Sequence, residues 1–122
     1  MGTCLVVDDS KVVRKLVRRI MEGLNFTVFE AEDGQQAADY CQAQKPDLIL
    51  LDWHMPVMDG LAFIKVLRAM PGGDVPKVLF CTTESEMGHI MQAMEAGANE
   101  YIMKPFDAEI VKGKLEQIGM IS

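Results

Sequence analysis

Five short apolar runs punctuate the chain, and each ends at a polar residue. Thr3–Val7 stops at Asp8-Asp9, Phe26–Ala31 at Glu32, and Leu48–Leu51 at Asp52. Val78–Cys81 closes in Thr82-Thr83, and Tyr101–Met103 in Lys104-Pro105-Phe106. Leu48-Ile49-Leu50-Leu51 is apolar at every position, the pattern of a strand buried on both faces near the centre of a parallel sheet. Between the runs the apolar period lengthens to that of a helix. After a Ser10 cap, Val13, Leu16, Val17, Ile20 and Leu24 predict a core-facing stripe, and Gly23 and Asn25 suit the exit. Lys11, Arg14, Lys15, Arg18 and Arg19 then form a basic, solvated side. Asp33-Gly34 opens a second helix with Ala37, Ala38 and Cys41 inward, stopped by Lys45-Pro46-Asp47. A third starts at Asp59 or Gly60, turns Leu61, Ile64 and Leu67 inward and ends at Pro71-Gly72-Gly73. The fourth is expected from about Glu86 to Ala96, with Met87, Met91 and Met94 at helical spacing and read as core; the fifth runs from Asp107 to Ile118.

Strands that alternate with helices predict an α/β fold: a doubly wound, five-stranded parallel sheet with helices on both faces and right-handed crossovers. The strand order 2-1-3-4-5 is the one known for flavodoxin-like members of this class, not something the pattern itself dictates. Without repeats or linkers, residues 1–122 read as one domain with no output domain attached. The net charge of −6 argues against nucleic acid and anionic membrane surfaces as partners. No apolar stretch approaches the roughly 20 residues that span a bilayer, so a cytoplasmic protein is expected. Cys4, Cys41 and Cys81 lie in or near apolar runs without metal-ligand spacing and read as reduced core thiols.

In such sheets chemistry collects at the carboxyl ends of the strands. Those ends present Asp8, Asp9, Asp52, Thr82 and Lys104. Three neighbouring carboxylates repel unless a cation joins them, and an all-oxygen set suits Mg²⁺. A lysine and a hydroxyl beside that ion are the groups a phosphoryl oxygen wants. The paired Asp8-Asp9 is suited to holding metal; Asp52 stands alone and can act as a nucleophile that becomes an aspartyl-phosphate.

Asp8-Asp9, Asp52 in Asp-Trp-His-Met-Pro-Val-Met-Asp-Gly, Thr82 and Lys104-Pro105-Phe106 together resemble the receiver domain of two-component response regulators, over essentially the whole chain. The resemblance implies that Asp52 is the phosphoacceptor, fed by a histidine kinase or histidine phosphotransfer protein. Asp9, Asp52 and the backbone carbonyl of His54 would ligate Mg²⁺, with Asp8 helping through water. Thr82 and Lys104 would engage the phosphoryl group and Tyr101 would complete the switch. His54 and Glu84 would tune the rate of a weak self-dephosphorylation, and the Lys104-Pro105 bond would be cis. Trp53 would sit by the pocket mouth, His54 would face solvent, and the first helix is a candidate dock for the phosphodonor. The protein would be a phosphorylation-operated binding module, not a metabolic enzyme, and is expected to be monomeric. Asp-Trp and the Lys-Pro-Phe ending are similar to chemotaxis regulators of the CheY type, whose output is the flagellar motor switch. Single-domain phosphorelay, cell-cycle and phosphate-sink regulators share the architecture, and Glu84, Glu86 and methionines make helix four unlike a basic motor-binding surface.

Two other classes fit less well. A phosphatase of the haloacid dehalogenase type needs Asp-x-Asp after its first strand, where this chain has adjacent acids. A flavodoxin-type cofactor binder needs a phosphate-binding helix start there, and two acids would repel the phosphate.

Overall fold

In the computed structural model, which describes residues 2–121, strands and helices alternate along the chain. In order they are β1 (Gly2–Val7), α1 (Lys11–Gly23), β2 (Phe26–Ala31), α2 (Gly34–Ala43), β3 (Leu48–Asp52) and α3 (Gly60–Ala69). β4 (Lys77–Thr82), a single 3₁₀ turn (Glu84–Glu86), α4 (His89–Ala96), β5 (Glu100–Met103) and α5 (Ala108–Gln117) follow. Among the described residues the five strands form one parallel sheet in the order 2-1-3-4-5.

The strands alternate side chains between two cores. Leu5, Val7, Ile49, Leu51, Val78 and Phe80 face one layer with Ala37, Ala38, Phe63, Ile64 and Leu67. Cys4, Val6, Leu48, Leu50, Leu79 and Cys81 face the other with Val17, Met21, Val111 and Leu115. Burial on both sides is why the central strands carry no alternation in sequence. The three thiols are free and buried. Burial pushes the Cys41 thiol up to about 11 and Cys81 to about 12, so these thiols stay protonated and inert.

Side-chain caps fix most helix starts. Ser10, Asp33, Asp59 and Asp107 accept from the backbone N–H of Val13, Gln36, Ala62 and Ile110, at 3.2, 2.8, 2.9 and 3.0 Å. Gly34 and Gly60 are held where a side chain has no room: a Cβ would collide with the carbonyl oxygens of Met58 and Asp52, respectively. The loop after β3 is thereby laid against both α2 and its own strand.

Some expected placements differ. On α1, Leu16 is exposed and Met21 takes the buried place, because 100° steps from Val17 lead to Met21 and carry Leu16 outward. Arg14 does not belong to the solvated basic side. It is buried, donating from Nη1 to the Asp8 carbonyl at 2.7 Å and from Nε to Glu30 at 3.0 Å. On α3 Leu61 is only half-buried, while Phe63 is fully buried. The segment Glu84–Ala96 is a 3₁₀ turn followed by a shorter α-helix, not a continuous helix from Glu86. Met87, Met91 and Met94 are exposed, contrary to a core reading; Ala93 is the buried residue of α4.

At the amino ends of β4 and β5, Arg68 of α3 acts as a clamp. It donates to the carbonyls of Gly73, Pro76 and Gly97 at 2.7, 2.8 and 2.8 Å, and to Asn99 Oδ1 at 3.1 Å.

Candidate functional site

The parallel register brings the carboxyl ends of β1, β3, β4 and β5 to one edge. β1 and β3 deliver the acids and β4 delivers Thr82. Just past β5 the chain delivers Lys104, whose backbone N–H donates to the Thr82 carbonyl at 2.6 Å. The Lys104–Pro105 peptide bond is cis.

Lys104 Nζ stands 3.1 Å from Asp8 Oδ2 and 3.2 Å from Asp52 Oδ1, bridging the two acids. Carboxylate oxygens of Asp8, Asp9 and Asp52 all lie within 4.8 Å of one another. Asp8 is buried and held on every side: its Oδ1 accepts from the Ser10 N–H at 2.9 Å and its carbonyl from Arg14. Asp9 is exposed, and Asp52 is 16 % exposed, open enough to be reached from outside. Burial, opposed by Lys104 and reinforced by Asp8, raises the Asp52 carboxyl above its ordinary value. Burial also works against the charge on Lys104, but Asp52 and Asp8 outweigh it and hold the ammonium above its usual value. One lysine faces three acids, so the pocket retains excess negative charge. Hard oxygen donors this close together, one of them at an open mouth, fit a small divalent cation that keeps part of its water shell.

The remaining predicted residues lie at varying distances from this centre. Thr82 is buried beside the acids, with its hydroxyl turned to the Thr83 carbonyl at 3.3 Å. Tyr101 is half-buried on β5, with Lys114 Nζ over its ring at 4.4 Å, and no hydrogen bond links it to Asp52 or Lys104. His54 points to solvent, its ring reaching Glu86 instead of the acids, and Glu84 is exposed on the 3₁₀ turn. Trp53 is not at the mouth but packed inward, edge-on to Phe80 with centroids 5.5 Å apart and stacked on His89 at 4.0 Å.

Val57 was not singled out by sequence reasoning. Its φ is +69°, and the N–H of Met58 reaches the Pro56 carbonyl at 2.7 Å, closing a three-residue turn on a β-branched residue in the left-handed region. Such a turn is strained. The Pro-Val-Met sequence gives no glycine or asparagine to announce it.

A family model described as the response regulator receiver domain matches residues 4–116. The chain belongs to the response regulator receiver family. Among its relatives, the chemotaxis protein CheY of Pseudomonas aeruginosa is 35% identical over 115 residues, covering 93% of both chains. A structure of the chemotaxis protein CheY4 of Vibrio cholerae superposes with a TM-score of 0.88 at 30% identity, covering 97% of this receiver and 98% of that chain. The receiver domain of a sensor histidine kinase from P. aeruginosa, solved with a magnesium ion coordinated in its active-site cleft, gives 0.88 at 28% identity, with 97% and 98% covered. Receivers are acidic-pocket switches of two-component signalling, so a histidine kinase or phosphotransfer protein is implied as partner.

Proposed function

We propose that this receiver accepts a phosphoryl group on Asp52 from a phosphohistidine and signals by binding a further protein. The observation that carries this reading is the position of Asp52: at the end of the central strand, partly open, 3.2 Å from Lys104 and beside two further acids.

The step balances simply. An Asp52 carboxylate oxygen attacks phosphorus in line with the donor imidazole; the O–P bond forms as the P–N bond breaks, and the imidazole leaves with its electron pair and takes up a proton. Lys104 sits where it balances charge on the transferred oxygens. Asp9, Asp52 and the His54 carbonyl, with Asp8 in support, would hold Mg²⁺, which would supply the remaining positive charge. The phosphoryl group adds charge beside Thr82, whose hydroxyl must leave the Thr83 carbonyl to donate to it. That rotation, with Tyr101 responding on β5, biases the α4–β5–α5 face between two states. Hydrolysis of the acyl phosphate in the same pocket, tuned by His54 and Glu84, resets the switch.

A surface groove supports the donor side of this reading. Leu16, Val13 and Ile20 of α1, with Pro105 and Phe106, line an apolar groove of about 330 Å³ that also reaches Lys104. A helix of the phosphodonor laid there would bring its histidine toward the pocket, and exposure of Leu16 has a use on this account.

Chemotaxis is the output favoured by the relatives, which are named as chemotaxis proteins. A phosphorelay role is the second reading, favoured by the character of α4 and the residue leading into it. The exposed surface offers Met87 before the helix and Met91, Met94 and Glu95 on it, and α4 carries no lysine or arginine.

The test is intact mass after incubation with Mg²⁺ and acetyl phosphate. A phosphoryl adduct on the wild type that is absent from Asp52→Asn and abolished by chelation is the expected result. Equal labelling of the Asp52→Asn variant would refute the assignment.

A further inference from the structure

Both histidines of the chain meet on one carboxylate, away from the three aspartates. His54 follows β3, Glu86 ends the 3₁₀ turn and His89 opens α4. His54 Nε2 lies 2.9 Å from Glu86 Oε2, and His89 Nδ1 lies 3.8 Å from the same oxygen. One ligand atom from each of the three residues falls within 4.8 Å of the others.

An ordinary ion pair accounts for His54 and Glu86 but not for His89. Its Nδ1 is buried and has no hydrogen-bond partner, a costly state for an imidazole nitrogen. The ring cannot swing freely to find one, since it is stacked on Trp53 at 4.0 Å and 10°. The nitrogen therefore points, fixed, toward the Glu86 carboxylate at a distance too long for a hydrogen bond and suitable for an atom in between.

We propose that His54 Nε2, Glu86 and His89 Nδ1 form a second metal site, selective for Zn²⁺ and its borderline neighbours over Mg²⁺. Two imidazoles and one carboxylate are a donor set that Zn²⁺ uses with a fourth position left to water. A tetrahedral Zn²⁺ with bonds of about 2.0–2.1 Å places its ligands roughly 3.3 Å apart. The observed 2.9 and 3.8 Å straddle that spacing, and the exposed His54 ring has freedom to adjust. An outer contact orients the carboxylate: Glu86 Oε1 accepts from the Thr83 hydroxyl at 3.4 Å. The thiols that would compete for zinc are buried. A bound ion would tie the loop after β3 to the start of α4, where a side-chain cap is missing.

The experiment is Zn²⁺ titration of the full chain by calorimetry and Trp53 fluorescence, in excess Mg²⁺ to occupy the aspartates. One Zn²⁺ per chain with a change in Trp53 emission is expected. His54→Gln and His89→Gln should each weaken binding roughly tenfold or more, while Asp9→Asn keeps it. Far-UV circular dichroism and Mg²⁺ affinity of each variant establish that the fold survives. The proposal is overturned if no Zn²⁺ binds below about 1 mM, or if binding follows Asp9 and ignores both histidines. Because the readout is metal binding alone, failure here would leave phosphorylation of Asp52 untouched, and the reverse.

Discussion

The two ends of the sheet each hold a partly buried cation on very different terms. At the amino end Arg68 faces neutral acceptors, the carbonyls of Gly73, Pro76 and Gly97 and the Asn99 amide oxygen. At the carboxyl end Lys104 faces Asp8 and Asp52, with Asp9 close by. The first arrangement satisfies acceptors that strand ends and loops leave over, and it is structural. The second leaves charge unbalanced, and that imbalance is what a metal ion and a phosphoryl group can exploit. One end leaves its cation matched to neutral acceptors, and the other leaves its acids in excess of their cation.

The largest effect is expected where the contrast is broken from the structural side. Arg68→Ala strands three loop carbonyls and should cost about 2–4 kcal/mol by urea unfolding, with little change in Mg²⁺ affinity. A loss under about 1 kcal/mol would mean water replaces the clamp. Next is metal addition. Mg²⁺ at a hundredfold excess over its Kd should stabilise the wild type by about 2.7 kcal/mol. That gain should be largely lost in Asp9→Asn, as read by thermal shift.

Smaller, and opposite in sign, is Asp52→Asn without metal. The Asp52 carboxyl is raised above its ordinary 3.8, so its ionised form costs the fold stability at neutral pH. The variant should melt a few degrees higher at pH 7. The advantage should fade as pH falls through the raised value and vanish below about 3.8, where both states carry the proton. A variant that melts lower at pH 7 would show that Lys104 outweighs burial and the Asp8 charge in the pocket. Smallest is Val57→Asn, which should relieve left-handed strain and add about 0.5–1 kcal/mol without altering metal binding.

The sequence disclosed one end of the sheet far better than the other. The pocket was legible because its acids and lysine each terminate an apolar run, and a strand end is a fixed address in a parallel sheet. Arg68 sits in the last turn of α3 between apolar neighbours, and its partners are mostly backbone carbonyls that carry no residue signature. Arg14 was misread for a related reason: its spacing matches the basic side, and burial follows from Glu30 and the Asp8 carbonyl, which only the folded chain brings near. The helix expected from about Glu86 to Ala96 starts later, at His89, because α4 has no side-chain cap and buries little beyond Ala93. Methionines at helical spacing look the same whether they face a core or solvent. The His54–Glu86–His89 cluster spans more than thirty residues of chain, with no motif to join its members.

Gly60 and Gly34 also bear on how this molecule can change over generations. Even alanine at position 60 would strike the backbone oxygen of Asp52, and at position 34 that of Met58. Single-step substitution is thus opposed at both positions by backbone atoms that cannot move aside cheaply. Val57, a few residues away and largely exposed, is open to replacement and would gain from it. Variation around the pocket should accordingly be patchy along the chain, and its silent positions will be dictated by backbone clearance rather than by chemistry.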